Sequence, residues 1–146
     1  MNKQWILSVA KQMNDPGDLF FNEDTANGGV GDVIFDDFEW DRSKSNICVR
    51  DKGFSFYYAV QAFYDEYKAL GLDPNSPIHE DRHLVIGHPY GITSENLLVV
   101  VHVDVIGEGR FRVVSAFEAE DGSWYEKFYI KNKERWIQIN KRRHFK

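Results

Sequence analysis

From Leu97 to Val105 the chain runs through five consecutive aliphatic residues and then alternates, as expected of a strand that begins buried and emerges toward water. Extended, it puts Leu97, Val99, Val101, Val103 and Val105 on one face and Leu98, Val100, His102 and Asp104 on the other. Ile106 to Gly109 is a loop of hairpin length, and Arg110 to Ser115 follows as a partner strand with Arg110, Arg112 and Val114 in phase. Arg82 to Gly87 predicts a third strand, with Arg82, Leu84 and Ile86 on one side.

Upstream, Val33 to Trp40 reads as extended and aromatic. Asp41 can cap a helix that Gly53 ends, and Ser55 can cap a second over Phe56 to Tyr64. The second carries Phe56, Val60, Phe63 and Tyr64 as an apolar stripe. Asp73 to Pro77 is a turn-rich loop. Phe117 to Ile130 predicts a C-terminal helix, with Trp124 and Phe128 four apart, and residues 141–146 read as a solvated end. These elements predict the α+β class: an antiparallel sheet packed against two N-terminal helices, with a C-terminal helix. A domain over residues 33–130 is then flanked by two additions. Residues 1–32 form an extension, a short helix with Trp5, Val9 and Met13 on one face followed by an acidic loop with Gly28, Gly29 and Gly31, and residues 131–146 form a basic tail.

Composition narrows the class. With 146 residues, 42% of them hydrophobic, the chain can bury one core without staples. Its single cysteine excludes an internal disulfide, and no signal segment or long apolar run is present, so a cytoplasmic protein with no membrane partner is expected. Cys48 reads as packing. The net charge of −5 is uneven: residues 131–146 sum to +6 and residues 32–130 to −9. Global charge therefore does not predict a nucleic-acid partner, although a local basic site is compatible with it.

Five pieces follow one another along the chain: Phe38-Glu39-Trp40-Asp41, Gly53-Phe54-Ser55-Phe56, Glu80-Asp81-Arg82-His83, Leu97 to His102, and Arg110 to Ala116. On these pieces, over about residues 34–126, the chain resembles the BrnT family of ribonuclease toxins. The resemblance implies a RelE-like α+β fold and a bacterial type II toxin that cleaves RNA without a metal. It also implies inhibition by a protein antitoxin, BrnA, in an oligomeric complex. The family's functional positions fall on Trp40, Glu80, Arg82, Arg110 and Arg112. Two departures stand out: Asp51-Lys52-Gly53 replaces a usual Lys-His-Gly, and acidic Phe117 to Asp121 replaces a basic continuation.

Cleavage of single-stranded RNA or mRNA by its own 2′-hydroxyl needs a proton acceptor, positive donors around the phosphate and a proton source. Glu80 can accept the proton or orient an arginine. Arg82 and Arg112 suit the phosphate, and Glu80, Arg82 and Arg112 form the candidate catalytic set. Arg110 reads as a backbone clamp, Lys52 as a further phosphate contact and Trp40 as a base-stacking ring or a core ring. His102 suits acid work at its ordinary pKa, or else is a structural histidine at the end of the aliphatic run. His79, His83, His88 and His102 lack a compact metal-ligand spacing, so no metal or other cofactor is expected. The acidic body supports an alternative, a catalytically weakened relative acting as a protein-binding or regulatory module.

Overall fold

The computed structural model describes residues 31–76 and 81–144, without the side chains of Arg143 and His144, together with Leu7, Ala10, Lys11 and Met13. Among the described residues six strands form one sheet: β1 (Asp32–Phe35), β2 (Phe38–Asp41), β3 (Ala69–Leu72), β4 (His83–Gly87), β5 (Leu98–Val105) and β6 (Arg110–Glu118). The helices whose whole span is described are α1 (Arg42–Lys52), α2 (Phe56–Ala59), which tightens into a 3₁₀ turn over Val60–Tyr64, and α3 (Trp124–His144), besides a 3₁₀ turn over Pro89–Gly91. This is an α+β fold with a C-terminal helix.

The expected single extended run over Val33 to Trp40 is a hairpin, because Asp36 takes a left-handed φ of 54° and Phe35 pairs with Phe38. Sheet order is β1-β2-β6-β5-β4-β3. The sheet is mixed rather than antiparallel: β2 runs parallel to β6, with Phe38 opposite Phe111 and Glu39 opposite Arg112. Between these two strands the chain passes through both short helices and β3 to β5. Strand β6 therefore returns in the direction in which β2 left. The two helices follow the first hairpin instead of preceding the sheet.

Their limits are those the sequence sets. The Asp41 carboxylate accepts from the Ser43 and Lys44 amides, and Gly53 closes α1 with a φ of 84°. Ser55 accepts from the Tyr58 amide and starts α2. Both helices pack on one face, where Phe38, Trp40, Phe54, Phe56, Tyr58, Val60, Leu98, Val100 and Val113 form a core. Leu7, Ala10 and Met13 belong to that core, and Ser55 Oγ donates to the Ala10 carbonyl at 2.6 Å, so this part of the extension is integral to the fold. Trp5, Val9 and the acidic glycine loop up to residue 30 lie outside the described residues.

The opposite face holds a second core of Ala69, Leu84, Ile86, Leu97, Val99, Val101 and Tyr129, roofed by α3. Strand β6 runs on to Glu118, where a helix was expected to be under way, and α3 begins only at Trp124. That helix continues through the stretch read as a basic tail. No described helix is long and apolar enough to cross a membrane. A β-bulge shifts the β5–β6 register: Val101 faces Ser115 whereas His102 faces Val113, leaving Val114 as the extra residue. Val113 and Ala116 thereby both reach the first core, although they are three positions apart.

Candidate functional site

Phe38 and Trp40 are drawn into the first core, so Glu39 between them is forced onto the opposite face. Parallel pairing sets Glu39 beside Arg112. The Glu39 side chain, in a residue only 8% exposed, accepts from Arg110 Nε at 3.1 Å and from Arg112 Nη1 at 2.6 Å, one carboxyl oxygen to each guanidinium. Arg112 also forks onto Asp32, with Nη1 to Oδ2 at 3.2 Å and Nη2 to Oδ1 at 3.0 Å. The Asp32 carboxyl is held below its ordinary range by this hydrogen bond, and the Arg112 guanidinium is held correspondingly above its own. Arg110 has a second acidic neighbour in Glu108 at 3.2 Å.

Strand register extends this cluster sideways. Arg112 faces Val103 on β5, and His83 faces His102, so the position opposite Val103 on the β4 side is Arg82. Arg82, in phase with Leu84 and Ile86, is thus in one transverse row with Val103, Arg112 and Glu39. Two strand spacings, roughly 10 Å, separate the Arg82 and Arg112 backbones. The Arg82 amide donates to Ser76 Oγ at 3.0 Å, which ties the start of β4 to the preceding turn. Glu80 lies outside the described residues.

The remaining site candidates are elsewhere. Trp40 is 0% exposed and sits within the first core, the second of its two expected roles, so its ring offers no open face to a base. Lys52, at the end of α1, donates from Nζ to the Ala116 carbonyl at 2.6 Å, four residues along β6 from Arg112. His102 lies on the face opposite the arginines, with its ring 5.3 Å from that of Phe63 and 5.1 Å from that of Phe111. Burial, helped by the neighbouring His83 and opposed by Asp104, lowers its pKa to about 4, so at neutral pH it is an uncharged imidazole rather than a proton donor. His83 stacks on it across the strands at 5.6 Å. Together these rings line a groove of about 570 Å³ that also meets Leu70 and Leu72.

Sequence reasoning missed Glu39 as a site residue, although the Phe-x-Trp alternation around it carried the signal. It also missed Asp65, a carboxyl group 1% exposed that accepts from Tyr129 Oη at 2.7 Å and from the His88 and Tyr67 amides at 2.8 and 2.9 Å. Nothing in the local pattern of Asp65 marks it, since its partners come from three separate segments. Among the described residues no group of three or more His, Cys, Asp or Glu side chains is placed to hold a metal ion. No family model matches the chain, and no curated protein does.

Proposed function

We propose that this protein is a metal-independent endoribonuclease with a RelE-like fold, the toxin of a type II toxin–antitoxin pair neutralised by a BrnA-like protein. The observation that carries this reading is the Arg110–Arg112 pair bridged by one carboxyl group, with Arg82 in the same row. A carboxyl group with one oxygen on each guanidinium fixes both forks and leaves further N–H donors for a phosphate bound over the row. In the proposed step the 2′-hydroxyl of single-stranded RNA attacks the adjacent phosphorus and Glu80 takes its proton. The bond to the 5′ oxygen breaks, and that oxygen is protonated by water. Cyclic phosphate and 5′-hydroxyl ends result.

The test incubates antitoxin-free protein with single-stranded RNA in the presence of a chelator, beside Arg82→Ala, Arg112→Ala and Glu80→Gln. Cleavage giving cyclic phosphate ends is expected, with each variant slowed by about 100-fold or more. Full activity in both arginine variants sinks the site.

One observation favours a second reading. Arg112 is neutralised by Asp32 and Glu39, and Arg110 by Glu39 and Glu108, so the row's positive field is largely quenched. A protein-binding or regulatory module descended from such a toxin fits that balance, and absence of cleavage in every preparation favours it.

A further inference from the structure

The groove on the face opposite the arginines is built for a different ligand. Its walls and floor are Phe63, Leu70, Leu72, His83, His102 and Phe111, and its volume of about 570 Å³ is within the range of small-molecule sites. Leu70 and Leu72 are 62% and 65% exposed on the outer strand β3, a large apolar surface to leave in water. His83 is half-buried in the lining with accessible imidazole nitrogens, whereas the His102 Nδ1 is enclosed by protein. Lys68 and Asp104 are the charged residues of the lining, one of each sign, so the groove offers no net charge to an ion.

We propose that this groove binds a neutral, planar heteroaromatic ring of purine size, laid against the imidazole and phenyl rings with a ring nitrogen of His83 meeting its polar edge. An anion is disfavoured because His102 is uncharged and Asp104 is part of the lining. An alkyl chain would match the leucines but displace water from the His83 ring nitrogens without replacing its hydrogen bonds, at a cost an edge bearing donors and acceptors avoids. Aromatic rings and histidines are the side chains on which unpaired bases stack. The same chemistry belongs to a free nucleoside and to an unpaired base of a nucleic acid.

Adenosine tests the proposal, since it carries no phosphate and cannot be cleaved, so the result is independent of the arginine row. Titration followed by the imidazole carbon–proton NMR signals is expected to shift His83 and His102 saturably. His83→Phe, which keeps a ring and removes the nitrogens, is expected to weaken binding about fivefold. Leu72→Ser, at an exposed position, is expected to weaken it without unfolding the protein. A single-stranded oligonucleotide and an abasic one of equal length separate the sources. A shift with the first and not the second identifies a nucleic-acid base, and a shift with adenosine alone identifies a free nucleoside. No saturable shift with adenosine or oligonucleotide overturns the proposal, as does binding of adenosine that both variants leave unchanged.

Discussion

His102 shows how burial alone resets a side chain. Because its pKa in the folded protein is about 4, below the ordinary value of 6.5, the unfolded chain binds the proton first. The stability contributed by the neutral imidazole is complete above the unfolded value and is lost as pH falls from about 6.5 toward 4. The expected loss is roughly 2–3 kcal/mol. Urea denaturation of wild type and His102→Gln at pH 7 and pH 4.5 measures it: wild type should lose more than the variant, and parallel losses would refute the assignment. Cys48 behaves similarly, its thiol pushed up to about 11 chiefly by burial. Native protein at pH 8 should resist iodoacetamide, while urea-unfolded protein should react fully. Glu39 separates the two functional readings. Glu39→Gln removes the charge bridging both arginines, so it should slow cleavage if Glu39 orients them, whereas in a quenched module it should raise RNA affinity.

Among the elements, those with local signals were legible in the sequence. Asp41, Gly53 and Ser55 marked the ends of α1 and α2, and the valine run marked β5. Strand β3 escaped because Ala69–Leu72 is four residues long with a glycine inside, held by Ala69 opposite Ile86 and Leu72 opposite His83 rather than by any pattern of its own. The β2–β6 pairing, and with it the Glu39 bridge, escaped because its partners are some seventy residues apart in the chain. The start of α3 was misplaced because Glu118-Ala119-Glu120-Asp121 has helix-forming composition, whereas the decisive signal is Ser123 with Glu126 three residues on. Ser123 Oγ accepts from the Glu126 amide at 3.3 Å, and the Glu126 carboxyl accepts from the Gly122 amide at 3.0 Å, a variant of the capping box. Ser123→Ala should therefore cost about 1 kcal/mol in denaturant, with Glu126→Ala adding less than its full effect on top because the two act on one helix end.

At the scale of the whole molecule the sheet keeps its chemistry on two faces and its positive charge at one end of the chain. The net of +6 over residues 131–146 belongs largely to α3, a helix of 21 residues, and its fixed geometry gives that charge a definite direction over an acidic body. Among the described residues, the hydrogen bonds that anchor α3 in the fold come from its first part. Tyr129 donates to Asp65, and Asn132 donates from Nδ2 to the Tyr67 and Lys68 carbonyls at 3.2 and 3.1 Å. Removing residues 134–146 leaves those anchors in place while deleting Arg135, Lys141, Arg142, Arg143 and Lys146. Stability should then change little, since the described side chains beyond Lys133 are exposed or half-buried. If this end of the helix meets RNA, the slope of log affinity against log salt should flatten by up to about 3. Titrations of both proteins with fluorescent single-stranded RNA at several salt concentrations read the slope directly. An unchanged slope would leave RNA contact to the arginine row, and a large loss of stability would show that the exposed half of α3 supports the fold.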